Sequence, residues 1–422
     1  MNRIEAPRLK EIDTINFIEP RKVLIGNIAP FYSIENLGSE AARIELFFKA
    51  GTIIDRPVLA SLCSGLLLAG TSKESATDIH NNIDDLGGFF DINLSQEHTV
   101  VSVYALNDQI IPLLTIVMDA MHNASFPEAE IEEQIADKKQ RLRVSYEKVN
   151  FLCQRDFQKR LFEGTNYAKV TEIEDYETVT RSEIIDFFNS NYRNGLLKAT
   201  LVGRLQEKQL IEIEQLLEPW AGKEVTNDTP IFKQQKGNYH IEKTATVQTG
   251  IRIGRIMFDR KHEDYHGFVI MNTIFGDYFG SRLMKNIRED KGYTYGIGSA
   301  LAEMKDNGYF IIGTEVGAEV AAATLKEIQF EMTHMKEQLV DKEELELVRN
   351  YLLGQALKSA DGPFAMMDLF LGVEMHGLDY SFYNEALKKL KQITAVEIQS
   401  LAKKYLVWEE MLVITAGQQL ID

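Results

Sequence analysis

A chain of 422 residues is too long for one ordinary hydrophobic core, so two or more domains are expected. Its 45% hydrophobic and 26% charged residues are those of a soluble globular protein. The net charge of −17 leaves no broad basic surface to neutralise phosphates and argues against a general nucleic-acid binder.

In chain order, the opening MNRIEAPRLKEIDTINF places acids and a proline where a signal peptide needs an apolar stretch. The longest apolar run, VLASLCSGLLLAG, is too short to cross a bilayer and contains Gly and Ser, so a cytoplasmic protein without a membrane partner is expected. Cys63 and Cys153 have no motif spacing and sit in apolar surroundings, as buried reduced thiols do. FPEAEIEEQ is an acidic entry to a long helix. VTRSEIIDFFNSNY (179–192) opens with Thr180 and Glu183 in the T-x-x-E spacing of a capping box, and ATLVG (199–203) reads as a strand ending in Gly. The segment 218–238, EPWAGKEVTNDTPIFKQQKGN, has the Gly, Pro, Thr, Asn and charge of a linker.

Beyond it, TGIRIGRIMF alternates like a strand, DRKHED is a charged connection, and HGFVIMNTIFG reads as a helix. Across that junction His262-Glu263-Asp264-Tyr265-His266 matches the H-E-x-x-H pattern of zinc peptidases. The pattern works only on a continuous helix, where two histidines four apart share a face. His262 falls before or at the very start of the helix and no third ligand is evident, so the pair reads as two polar histidines of a loop.

Shifting the chain by 214 lays ITAVEIQSLAKKYL over VTRSEIIDFFNSNY, VITAG over ATLVG, and VDKEELELV over FPEAEIEEQ. Three features in one register indicate an internal duplication. The expected organisation is an N-terminal half 1–217, a linker 218–238 and a C-terminal half 239–422. The expected fold is α+β, each half a mostly antiparallel sheet with helices on one face.

The C-terminal half contains NTIFGDYFGSRLMKNIREDKGYTYGIGSALAEMKDNGYFIIGTEV. This closely resembles the G-x-x-S-R-L, R-E-x-x-G-x-x-Y and D-x-G-x-F signatures of the pitrilysin and insulinase group of metallopeptidases, which includes mitochondrial processing peptidase. The resemblance extends over nearly the whole chain and implies that fold. In active members the first half carries an inverted zinc motif, H-x-x-E-H. Aligned on LLLAGT, the motif positions here are Ser61, Ser64 and Gly65. Where a downstream Glu ligand belongs, the chain has KKQRLRVSYE, with Arg141 or Arg143 in the neighbourhood, and a cation there would repel zinc. The resemblance also implies that Arg288 and Tyr295 match the pair that reaches across the closed chamber to hold substrate and steady the scissile carbonyl. The expected function is then a subunit without metal of its own, supplying Arg288 and Tyr295 to a zinc-bearing paralogue that cleaves peptides. The competing expectation is a noncatalytic structural or peptide-binding protein of the same fold, acting as a homodimer or scaffold.

Overall fold

A computed structural model describes residues 14–223 and 230–419. Its strands are β1 (Arg21–Ile25), β2 (Ala29–Glu35), β3 (Ala41–Phe48), β4 (Phe89–Leu94), β5 (Thr99–Leu106), β6 (Leu196–Gly203), β7 (Gly237–Glu242), β8 (Gln248–Met257), β9 (Thr294–Glu303), β10 (Gly308–Gly317) and β11 (Leu412–Gly417). Contacts divide the chain into two compact units, one of Glu19–Ile256 with Leu412–Leu420, the other of Met257–Met411 with the described part of Met1–Ile18. The division falls after β8, beyond the 218–238 segment, because β7 and β8 both pair with β11. Of that segment, residues 224–229 lie outside the described residues, while Glu218–Trp220 forms a short 3-10 turn with Trp220 buried.

In the first unit a six-stranded sheet runs in the order β1-β2-β6-β3-β5-β4. All its ladders are antiparallel except β2 with β6. Period-two alternation puts Ala42, Ile44, Leu46 and Phe48 of β3 on the core face, where the strand pairs with β5 and packs with Val101 and Val103. Eight helices are described here: α1 (Pro57–Gly65), α2 (Ala76–Asp85), α3 (Ile110–His122), α4 (Glu128–Tyr146), α5 (Val149–Leu161), α6 (Asp175–Thr178), α7 (Arg181–Asn191) and α8 (Glu207–Leu217). Pro57 starts α1, where its fixed φ suits the first turn and its missing N–H costs nothing. Leu59 and Leu62 of α1 and Leu113, Leu114 and Val117 of α3 join the same core.

Helix α5 lies on the strands of the other half of the sequence. Cys153 Sγ donates to Ile414 O at 3.1 Å, Arg252 donates to Gln154 Oε1 at 2.9 Å, and a β-carbon on Gly250 would stand 3.0 Å from Val149 O. Both cysteines are buried free thiols, and desolvation pushes Cys153 up to about 12.

The second unit holds the β9–β10 hairpin and six helices: α9 (Tyr265–Asn272), α10 (Ala321–Glu337), α11 (Lys342–Ser359), α12 (Gly362–Glu374), α13 (Ser381–Gln392) and α14 (Ala395–Tyr405). Helix α9 runs into a π-helical turn at Thr273–Asp277, and a second such turn spans Met284–Asp290. The N-terminal segment is fastened here by Phe17, stacked on Tyr380 with ring centroids 4.4 Å apart, and by Ile15 N donating to Asn384 Oδ1 at 3.1 Å.

The duplication read from sequence recurs in the ladders. β6 is parallel to β2 and antiparallel to β3, and β11 is parallel to β7 and antiparallel to β8. α7 is opened by a complete capping box between Thr180 and Glu183. At α14 only half of the box forms: Thr394 Oγ1 accepts from Glu397 N, but the Glu397 carboxylate is held by the Lys389 ammonium. An ammonium partner outcompetes a backbone N–H for that carboxylate. The fold is therefore mixed α and β, as the sequence implies. Among the described residues no helix is long and apolar enough to cross a membrane.

Candidate functional site

Ser61 and Gly65 are four residues apart on α1 and so share one face of it, and Gln134 and Lys138 do the same on α4. These two faces meet. Lys138 Nζ donates to Ser61 Oγ at 3.0 Å, and a β-carbon built on Gly65 would lie 2.4 Å from Gln134 Nε2. Ser64 is buried and its hydroxyl donates back to Ser61 O at 3.1 Å. Burial, followed by the neighbouring Arg141, pulls Lys138 below the usual lysine range, with Asp137 opposing.

Beside this contact is a cavity of about 420 Å³. Its lining includes the apolar Leu66, Leu68, Phe90 and Ile92 and the polar His80, Glu130, Glu133 and Arg141. His80 stacks on Phe90 with centroids 5.5 Å apart.

The cation facing Ser61 is Lys138 and not Arg141 or Arg143. Arg141 turns to Asp137 one helical turn earlier, 2.8 Å away on an exposed surface, and Arg143 is exposed. Lys138 opens the KKQRLRVSYE segment, so the signal was present, but only the packing of α4 on α1 selects which basic residue points inward. The resulting set of two hydroxyls, a glycine and an ammonium does not fit a zinc ion, which takes thiolate, imidazole or carboxylate donors.

The literal H-E-x-x-H is no ligand pair either. α9 begins at Tyr265, and His262 lies in the turn before it, stacked on Phe258 at 4.1 Å, with its Nδ1 accepting from Asp264 N at 3.1 Å. His266 packs against Phe382 at 4.5 Å, and burial, then Lys389 and Arg260, lowers it to about 4. Among the described residues no group of three or more His, Cys, Asp or Glu is placed to hold a metal ion.

In the second unit Arg288 sits on the π-helical turn Met284–Asp290 with its guanidinium over the Phe279 ring at 4.5 Å. That turn is tied to α10 through Asn286, whose Nδ2 donates to Glu327 at 3.1 Å and to the buried Glu331 at 2.7 Å. Tyr295 stands at the start of β9, where one extra residue on β9 shifts the ladder between Thr314 and Val316. Such a bulge re-aims a side chain. The irregularity is fixed by Thr294 Oγ1 donating to Glu315 O at 2.8 Å and Thr314 Oγ1 donating to Gly296 O at 2.9 Å. The Tyr295 side chain emerges 97% exposed. Phe279, 63% exposed and beneath Arg288, is a neighbour that the sequence motif did not single out.

Two sequence profiles of one family match this chain. "Insulinase (Peptidase family M16)" matches residues 31–175 and "Peptidase M16 inactive domain" matches residues 178–352. The chain belongs to the M16 peptidase family. It is 25% identical to an uncharacterized zinc protease of Rickettsia bellii over 73% of this chain and 76% of that protein. It is 22% identical to the mitochondrial-processing peptidase subunit beta of Dictyostelium discoideum over 42% of this chain and 39% of that one. A crystal structure titled as the peptidase M16 inactive domain from Pseudomonas fluorescens superposes with a TM-score of 0.85 at 21% identity, covering 96% of this chain and all of the other.

Proposed function

We propose that this chain is the subunit without zinc of a heterodimeric peptidase, supplying Arg288 and Tyr295 to a zinc-bearing paralogue that cleaves peptides. The observation that carries the reading is Tyr295, a phenol 97% exposed at a bulge held by threonine hydroxyls. A tyrosine that serves packing is buried, whereas this one meets solvent with its whole side chain. Arg288 rests on an aromatic face, which leaves guanidinium N–H donors for a ligand. A guanidinium and a phenol can both donate hydrogen bonds to a developing oxyanion without titrating near neutrality. The α1–α4 contact supports the division of labour, since Ser61 at a motif position and the Lys138 ammonium that faces it have the wrong chemistry for zinc. Kinship with a protein named as a subunit of a processing peptidase supports a partnered state.

The test is reconstitution with a paralogue from the same genome that carries an intact H-x-x-E-H. The pair should cleave peptides at a rate that neither chain reaches alone, and a chelator should abolish it. A paralogue equally active without this chain would overturn the proposal and leave a noncatalytic scaffold or peptide binder, alone or as a homodimer.

A further inference from the structure

Of the four arginines between Met257 and Met411, three are paired with a carboxylate: Arg260 with Glu303 at 2.5 Å, Arg282 with Glu344 at 2.7 Å and Arg349 with Glu346 at 2.5 Å. Arg288 is the exception. Among the described residues it makes no hydrogen bond or ion pair, although Glu289 and Asp290 follow it directly, and its guanidinium is held instead over the Phe279 ring, 4.5 Å from the centroid. The two kinds of partner leave the side chain in different states. A carboxylate takes up guanidinium N–H donors in pairs, whereas an aromatic face attracts the cation and needs none of them.

The backbone around Phe279 is fixed from both sides. Before it, the Tyr278 ring lies against Tyr351 of α11 with centroids 5.0 Å apart. After it, Ser281 is fully buried and its N–H donates to Tyr278 O at 3.0 Å, closing the turn between the two π-helical segments. A β-carbon on Gly280 would stand 2.8 Å from the Tyr278 ring, so glycine lets the turn close that tightly. The Phe279 ring thus stays 63% exposed on an anchored turn, nine residues before the cation it carries.

We propose, on the reading that Arg288 grips substrate, that Phe279 is its positioning residue: the ring keeps the guanidinium from folding onto the protein's own carboxylates, so that its donors are free for a peptide carbonyl. In a chain of net charge −17 an untethered arginine has many acids to turn to. A donor already in place needs no reorganisation when the oxyanion develops, so the ring acts on the chemical step rather than on the fold.

The test assays the pair, reconstituted with the zinc-bearing paralogue, on an internally quenched peptide. Phe279→Leu keeps apolar bulk but has no π face, and should lower kcat by about 3- to 30-fold, the worth of a cation–π contact that substrate desolvates. KM and melting temperature should hardly change, and Phe279→Trp should restore the rate. In an Arg288→Ala background Phe279→Leu should have no further effect, since a residue acting through another is silent once that one is gone. In the isolated chain the Arg288 side-chain Nε–H proton should resonate upfield of its free position, and Phe279→Leu should return it. Wild-type kcat in Phe279→Leu, an equal loss in both backgrounds, or an unshifted Arg288 resonance overturns the positioning role while leaving Arg288 as a clamp. An Arg288→Ala pair as fast as wild type overturns the clamp and the positioning role together.

Discussion

Gln134 takes up the space where a side chain on Gly65 would begin: a β-carbon there would stand 2.4 Å from its Nε2 and 2.9 Å from its Cδ. The contact between α1 and α4 is thus already packed at the point where an added side chain would have to enter.

Restoring the motif letters alone is therefore expected to fail. A Ser61→His, Ser64→Glu, Gly65→His variant must push the Gln134 amide aside, at about 1–3 kcal/mol for overpacking. It also leaves the Lys138 ammonium, which now bonds to Ser61 at 3.0 Å, beside the new imidazole. Elemental analysis should find no stoichiometric zinc in this variant or in the wild-type chain. Adding Lys138→Glu exchanges the cation for a ligand and should raise zinc content. One full equivalent bound with Lys138 still in place would show that the ammonium is no obstacle.

The proposed pairing of Arg288 and Tyr295 with a substrate makes a different demand, on kinetics rather than composition. In the reconstituted pair Arg288→Ala or Tyr295→Phe should lower kcat by about 10² to 10³, the usual worth of an oxyanion donor. Melting temperature should hardly change, because Tyr295 is 97% exposed and its hydroxyl supports no core contact. Equal kcat for wild type and both variants would assign the two residues to structure alone.

His266 predicts a pH effect. Its folded value of about 4 lies below the ordinary imidazole value because burial, then Lys389 and Arg260, disfavour the charged ring. The unfolded chain consequently takes the proton first. The stability associated with the neutral ring is complete above about pH 6.5 and declines as pH falls toward 4, by about 2–3 kcal/mol. Denaturant titrations of wild type and His266→Leu across that window should show a slope in the wild type that the variant lacks. Parallel curves would mean that the ring is solvated.

Capping chemistry offers a comparison within one chain. Thr180→Ala removes a complete box whose Glu183 is also bonded to Arg56 at 2.8 Å, and should cost about 1–2 kcal/mol. Thr394→Ala removes a half box, since Glu397 stays with Lys389, and should cost less than Thr180→Ala. Chemical denaturation orders the two, and the reverse order would refute the distinction.

These examples show what the sequence could and could not announce. The Thr180 box and the strands at 199–203 and 413–417 depend on residues a few positions apart, so pattern alone locates them. Residue spacing also placed His262 ahead of its helix, since a charged turn precedes the apolar run. The partner of Ser61 lies 77 residues away, and only helix phase decides whether Lys138, Arg141 or Arg143 faces it. Likewise the Thr394 box looks identical to the other on paper. Its carboxylate is captured by Lys389, eight residues upstream at the end of a different helix.

The placement of β11 has a consequence for biosynthesis. It is the last of the described strands, yet it lies between β7 and β8, bonded to one in parallel and to the other in antiparallel fashion. Until Leu412–Gly417 leaves the ribosome, β7 and β8 have no strand between them and α5 has no backbone carbonyl at Ile414 to receive Cys153. Parallel and long-range pairings form slowly, and open strand edges recruit other chains. A chain cut short before Leu412 would hence leave two unpaired edges in the first unit, and the truncated product should go to aggregates or proteases.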